Sequence, residues 1–448
     1  MQKKSPEKEF SVKKEFGLHD ALREADRCLL CHDAPCSNGC PATTDPGKFI
    51  RQLRFRNIKG AARTIRRNNI MAGVCAEVCP TCTLCVERCS RTEIDRPIQI
   101  NDIQRFLANY QNEMKIEVFD APKPLKKKVA VIGAGPAGLS CAATLALEGY
   151  DVTVFEKDKT AGGVMSWGIP YYRLSRKTLK CDIKEVERLG VKIKLNTPVE
   201  GKKAVEKLLK DGFASVYMST GLTAANFLRI EGSDLKGVFT SVDFLSLVND
   251  EKNRSKAEAM VKGKKVAVIG GGSVAMDAAT SAKILGAERV YSISLEALNE
   301  LPADIEEIEL ANKYHVIFKP STQVAKISGK AGKVSGITGC EIEWKEKGKF
   351  TPDNAKPIKG TDFSHNVDAV IFAIGSRVGK EVVEMAADAK VALAKNNLVK
   401  IDTKYATANK AVFAGGDLVN GGGTVAYAVF QGKKAAAAIH EFISKGRR

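Results

Sequence analysis

Lys127-Lys-Val-Ala-Val-Ile-Gly-Ala-Gly-Pro-Ala-Gly138 returns 137 residues later as Lys264-Lys-Val-Ala-Val-Ile-Gly-Gly-Gly-Ser-Val-Ala275. Each copy reads as a short apolar strand buried on both faces, a glycine turn, and an alanine-rich helix. A second strand follows each copy, at Asp151–Phe155 and at Arg289–Ile293. That is the opening of a βαβ unit on a parallel sheet, and it occurs twice. A strand running into glycine recurs at Tyr217-Met-Ser-Thr-Gly221 and at Ala369-Val-Ile-Phe-Ala-Ile-Gly375. Val412-Phe-Ala-Gly-Gly-Asp417 then precedes a long alanine-rich helix. The expected class is α/β, with the second nucleotide fold (229–378) inserted between two parts of the first (119–228 and 379–448).

The glycines carry chemistry. In Gly133-x-Gly135-x-x-Gly138 the first permits a tight turn, the second lets a pyrophosphate reach the backbone, and the third lets helix pack on strand. The free N–H groups and dipole of the helix start favour that anion. Glu156 lies 23 residues after Gly133, at the end of the next strand, where a carboxylate can accept both ribose hydroxyls of an adenosine. Gly162-Gly163 brings the following loop against the same ligand. In the second copy, Gly270-Gly271-Gly272-x-x-Ala275, alanine is an allowed third residue. Ser294-Leu-Glu296 ends its second strand without the arginine that would hold a 2′-phosphate, so Glu296 favours NAD(H) over NADP(H). Gly375 belongs to the same site.

Nine of the twelve cysteines fall between Cys28 and Cys89, as Cys28-x2-Cys31-x4-Cys36-x3-Cys40 and Cys75-x3-Cys79-Pro-x-Cys82-x2-Cys85-x3-Cys89. In a reducing compartment such a cluster points to metal ligation rather than disulfides. Thiolates at these spacings wrap a cubane that a distant cysteine closes, and two 4Fe–4S clusters need eight ligands. Two four-cysteine zinc sites need the same count, but redox-silent zinc has no evident use beside two dinucleotide folds. The N-terminal part, residues 1–118, is therefore expected to be a helical domain with two 4Fe–4S clusters. Within it Ala21, Leu22, Ala25, Leu29 and Leu30 predict a helix over 20–30. No cysteine pair follows Gly163, which excludes disulfide reduction there. With five histidines, no HExxH and no acid–base pair, no catalytic side chain is assigned.

The chain has 448 residues and a net charge of +18, enough length for several domains. No apolar run reaches the roughly 18 residues of a membrane span. The charged start lacks a secretory h-region, so a cytoplasmic location is expected. Lys48 to Arg67 holds eight Lys or Arg and no acid, either a solvated helix face or a docking surface for an acidic partner. No nucleic-acid-binding signature is present.

The order of cysteine-rich domain and two nucleotide folds resembles the glutamate synthase small subunit and the N-terminal half of dihydropyrimidine dehydrogenase. Cys28-Leu-Leu-Cys-His-Asp-Ala-Pro-Cys36, Thr44-Asp-Pro-Gly-Lys-Phe-Ile-Arg51, Phe55-Arg-Asn-Ile-Lys-Gly-Ala-Ala62, Val78-Cys-Pro-Thr81 and Ile100-Asn-Asp-Ile-Gln-Arg-Phe106 are similar to the bacterial NAD-dependent dihydropyrimidine dehydrogenase small subunit. The resemblance implies FAD on the first fold and NAD on the second. It implies that Cys28, Cys31, Cys36 and Cys89 hold one cluster and that Cys40, Cys79, Cys85 and Gln104 hold the other. Cys75 becomes a bystander, and Cys82 stays open as an alternative to Gln104. Arg173 is placed on the FAD pyrophosphate, and Gly416, Asp417, Thr424 and Val425 around the ribityl chain and flavin ring. The implied function is NADH oxidation, with electrons leaving for an FMN-containing large subunit that reduces uracil or thymine. The alternative is a glutamate synthase small subunit or a ferredoxin–NAD(P) oxidoreductase with a ferredoxin-like acceptor. In either case a hetero-oligomer is expected.

Overall fold

The structure, a computed structural model, describes residues 15–445. The chain forms two compact units. One comprises the residues up to Ser166, Tyr171–Thr223 and those from Val378; the other comprises Trp167–Pro170 and Ala224–Arg377.

The first unit is built on a five-stranded sheet in the order Val412–Ala414, Phe213–Met218, Lys128–Ile132, Asp151–Phe155, Lys192–Lys194, all parallel. Lys128–Ile132 is central and buried from Val129 onward, as an apolar run between two neighbours requires. The helix Pro136–Leu147 follows its glycine turn, and the long helix Val425–Lys445 lies against it. The approach is close: a Cβ on Gly432 would stand 2.3 Å from Ala137 O. Ser140 Oγ donates to Val429 O across the same seam at 2.9 Å.

The second unit repeats the plan. Its parallel sheet runs Val238–Thr240, Ala369–Phe372, Lys265–Ile269, Arg289–Ile293, Ile317–Lys319. The two repeated segments thus hold equivalent central places in two sheets. An antiparallel hairpin, Thr322–Lys330 with Lys333–Trp344, is added to the second unit.

The cysteine-rich helices belong to the first unit. Asp45 and Asn57 cap the helices Pro46–Arg54 and Ile58–Asn68 by accepting from Lys48 N and Gly60 N. Phe49, Ile50, Leu53, Ile65, Ile103 and Leu107 form their shared core, with Cys28, Cys36, Cys85 and Cys89 packed against it. A buried ion pair ties these helices to the nucleotide fold: Arg66 Nη1 stands 2.7 Å from Asp182 Oδ1, both side chains 0 % exposed. Asp182 Oδ2 also accepts from Val74 N at 2.9 Å, and Arg66 Nε donates to Gln111 Oε1 at 2.8 Å.

The helix expected over 20–30 spans Leu18–Asp26 instead. Leu30 adopts a left-handed φ of 55°. The backbone must leave the helix for Cys28 and Cys31 to face one cavity, and that demand overrides the apolar spacing.

Candidate functional site

The first glycine turn is built as its spacing predicts. Gly133 has φ 98°, and a Cβ there would lie 2.6 Å from Ser219 O. A Cβ on Gly138 would lie 2.0 Å from Gly133 O, so only hydrogen fits. At Gly135, the N-cap of Pro136–Leu147, a Cβ would meet no protein atom within 4 Å, and no side chain caps the helix. An open cradle at an uncapped helix start fits a pyrophosphate. Gly163 closes on the same turn, 3.1 Å from Gly135 Cα measured from its would-be Cβ, and Gly162 N donates to Ala134 O at 2.8 Å.

Glu156 is 5 % exposed; its Oε2 accepts from Ala134 N at 2.7 Å and its Oε1 from Asp158 N at 2.9 Å. Burial raises its pKa against those two N–H groups. On the other side of the turn, Gly416 N donates to Gln431 Oε1 at 2.7 Å, and a Cβ on Gly416 would lie 3.0 Å from Ala137 Cβ. Asp417 beside it is pushed up to about 6 by burial, opposed by the Gly423 N–H. Thr424 precedes the long helix and accepts from Tyr427 N at 3.2 Å; Val425 is its first residue. Arg173 is half-buried. Ser219 and Gln431 escaped sequence reading because they reach the turn from distant strands and helices.

In the second unit Gly270 has φ 138° and packs on Ala373 O. Gly272 caps the helix Ser273–Ile284 with open space at its would-be Cβ and no side-chain cap. Ala275 is fully buried. Glu296 is brought to the turn: its Oε2 lies 2.9 Å from the position of a Cβ on Gly271. Gly375, with φ 87°, accepts from Asn226 N at 3.0 Å.

The cysteines line two cavities. Cys28, Cys31, Cys36 and Cys89 meet in one, with Leu29, Arg88 and Ile98 also in its wall. Cys40, Cys79, Cys85 and Gln104 meet in the other. Gln104 is 7 % exposed and its Nε2 donates to Ala72 O at 2.7 Å, which leaves Oε1 as the acceptor end. Cys75 shares the second cavity, whereas Cys82 is exposed and lines neither. The competitor of Gln104 at this cavity is thus Cys75, on the helix Ala72–Val78 whose C-cap is Cys79.

Burial, then the neighbouring Cys28 and Cys89, push Cys36 up to about 12; burial, then Cys40 and Cys36, do the same for Cys85. Buried thiols that repel one another as thiolates suit a cationic iron core, which removes their protons on binding. Among the described residues no three His, Cys, Asp or Glu converge on a single-ion site. The donor set and its cavities fit a cluster.

The basic stretch is largely exposed, Arg66 alone being buried, yet several of its arginines also make contacts within the protein. Arg54 Nη1 donates to Cys28 O at 2.5 Å and Arg51 Nη2 to Cys31 O at 3.3 Å, steadying the first cavity's loop. Arg63 and Arg67 donate to Glu117 O and Val118 O, and Arg66 is the buried partner of Asp182.

Fold and site together define a nicotinamide-dependent iron–sulfur flavoprotein, an oxidoreductase. Residues 127–432 match the family "Pyridine nucleotide-disulphide oxidoreductase". Residues 6–116 match "Dihydropyrimidine dehydrogenase domain II, 4Fe-4S cluster". The chain is 38 % identical over 424 residues to the NAD-dependent dihydropyrimidine dehydrogenase subunit PreT of Escherichia coli (strain K12), covering 94 % of each. It is 29 % identical to the small chain of the same organism's glutamate synthase [NADPH], covering 96 % of this chain and 92 % of that one. Mycobacterium tuberculosis FprA, solved in complex with NADPH, shares the fold at 16 % identity and a TM-score of 0.58, over 72 % of this chain and 86 % of that one. The chain belongs to the pyridine nucleotide-disulphide oxidoreductase family and, within it, to the NAD-dependent dihydropyrimidine dehydrogenase subunits. Its cofactors are FAD, NAD(H) and 4Fe–4S clusters.

Proposed function

We propose that this chain is an electron-input subunit: it oxidises NADH and delivers electrons to a separate FMN-containing subunit that reduces uracil or thymine to the 5,6-dihydropyrimidine. FAD, when bound, supplies the conversion between two-electron exchange with nicotinamide and one-electron exchange with iron–sulfur clusters. The chain's residues bind and order these groups. Gly133, Gly135, Gly138, Glu156 and the Gly162-Gly163 loop hold the adenosine pyrophosphate of FAD, with Arg173 as its cation. Gly416, Asp417, Thr424 and Val425 border the flavin. Gly270, Gly271, Gly272, Ala275 and Gly375 hold NAD, and Glu296 takes the ribose hydroxyls.

The observation that carries this reading is the neighbourhood of the second thiol cavity. Ala426, next to the proposed flavin residue Val425, lines it together with Cys40 and Gln104. Ile100 lines both cavities, which therefore adjoin. This adjacency supports an electron order from flavin to the Cys40 cavity, to the Cys28 cavity, and out.

The subunit naming of the PreT relative supports a hetero-oligomer, and no described helix is long and apolar enough to cross a membrane. A cytoplasmic site of action belongs to the same proposal. Affinity purification from the native cell tests it: an FMN-bearing partner and uracil-dependent NADH oxidation support the reading. The glutamate synthase relative supports a second reading, under which the partner would instead be the large chain of a glutamate synthase. Ferredoxin reduction by the chain alone would point to a ferredoxin–NAD(P) oxidoreductase.

A further inference from the structure

The helix Val425–Lys445 starts beside the proposed flavin site and reaches into the cysteine-rich helices. Ala426 lines the second thiol cavity. Lys433, two helical turns further on, lies on the same face. Its Nζ donates to Thr43 Oγ1 at 2.7 Å, to Asn68 O at 2.8 Å and to Ala42 O at 3.2 Å. The contacts to Ala42 and Thr43 grip the segment that follows Cys40, in which Thr43 takes a left-handed φ of 58° and Thr44 N donates to Cys40 Sγ at 3.4 Å, and the contact to Asn68 ties it to the end of the helix Ile58–Asn68.

All three ammonium protons go to neutral oxygens. Burial lowers the pKa of Lys433, Cys40 opposes that shift and Lys434 reinforces it. Lys433 is half-buried, and withdrawing an ammonium from water is costly without a counter-charge. Here the counter-charge is the ligand set itself. Three thiolates and a neutral glutamine around iron form a centre whose negative charge grows on reduction. A fixed positive charge nearby therefore favours the reduced state and raises the potential.

We propose that Lys433 is a positioning and tuning residue: it holds the Cys40 loop and raises the reduction potential of the cluster on Cys40, Cys79, Cys85 and Gln104. Through this residue the flavin-binding part sets how readily its first electron acceptor is filled. The inference rests on the ligand reading above.

Potentiometric titration of the reconstituted holoenzyme, followed by EPR, tests it. Lys433→Gln is expected to lower the midpoint of one cluster and leave the other unmoved. A tenfold loss in the equilibrium constant for filling that cluster would register as about 59 mV for one electron. Lys433→Arg, which keeps the charge, is expected to stay near the wild type. The unmoved cluster is the internal control for folding. Two unmoved midpoints in Lys433→Gln would overturn the proposal, as would equal shifts in the Gln and Arg variants, which mean loop-holding alone. Cys40→Ser separates the two layers. If it alters one cluster's signal while Lys433→Gln shifts nothing, tuning fails alone; if it alters neither, the ligand reading fails and takes the tuning with it.

Discussion

Gly135 and Gly138 stand one helical turn apart and answer to different demands. A Cβ at Gly138 would strike Gly133 O, whereas one at Gly135 would meet no protein atom within 4 Å. Gly138→Ala is expected to cost about 1–3 kcal/mol through overpacking, visible as a lower urea midpoint. Gly135→Ala is expected to keep its circular dichroism and purify with little flavin. Equal flavin content in Gly135→Ala and wild type would remove the pyrophosphate from this turn. At the second cavity, Gln104→Ala is expected to change the EPR signal of one cluster, and Cys82→Ser and Cys75→Ser to leave both signals intact. A changed signal in Cys75→Ser alone would give the eighth ligand to Cys75. Glu77 illustrates pH linkage. Burial pushes its pKa from 4.5 up to about 6, although it accepts from Thr178 Oγ1 at 2.6 Å and Ser175 N at 2.7 Å. The folded state holds this proton more tightly, so the associated stability is full below pH 4.5 and lost as pH rises through 6, about 2 kcal/mol in all. Urea unfolding across that window should show this slope in the wild type and a flatter one in Glu77→Gln. That Gly133, Gly138 and Glu156 meet at one turn was legible because strand, turn and helix geometry dictates their spacing. Gln104 was reachable only through resemblance, since a lone glutamine on a helix has no ligand spacing.

At the scale of elements, Arg66 and Asp182 decide how the cysteine-rich helices attach to the nucleotide fold. Their charges are buried together, and Gly73 leaves room for the carboxylate: a Cβ there would lie 2.9 Å from Asp182 Oδ1. Removing one partner leaves the other charged and unpaired, so Asp182→Asn should lose about 3–5 kcal/mol of stability. Limited proteolysis should then cut the cysteine-rich helices faster than in the wild type, and unchanged cleavage would mean that the pair is dispensable. None of this was readable beforehand, because Arg66 sat in a run of bases that looked uniform. The fold sorts that run: Arg66 goes to the core, Arg51 and Arg54 reach the carbonyls of Cys31 and Cys28, and most of the remaining charge faces solvent. The hairpin Thr322–Trp344 also went unread. Its strands mix lysines with apolar residues, and its turn rests on Ala331 and Gly332, both with positive φ, rather than on an Asn-Gly or Asp-Gly pair.

For the whole molecule, the repeated Lys-Lys-Val-Ala-Val-Ile-Gly segment was the decisive sign. A strand, turn and helix used twice, with strands returning at Val412, allow one nucleotide fold to be inserted in the other. What the repeat could not convey is that the cysteine-rich helices share a compact unit with the flavin-binding sheet, because side chains far apart in sequence make that junction. On the proposed reading Glu296 at the second turn takes the ribose hydroxyls, and Glu296→Arg is expected to shift the NADH/NADPH ratio of kcat/KM toward NADPH by about tenfold or more, roughly 1.4 kcal/mol. An unchanged ratio would take the ribose contact away from Glu296. The central claim, that one chain carries electrons from nicotinamide through flavin into iron–sulfur clusters, meets its most direct test in an anaerobic NADH titration of the holoenzyme, read by flavin absorbance and EPR together. Bleaching of the flavin accompanied by signals from two reduced 4Fe–4S clusters is the predicted result. Bleaching with both clusters remaining oxidised and EPR-silent would contradict it.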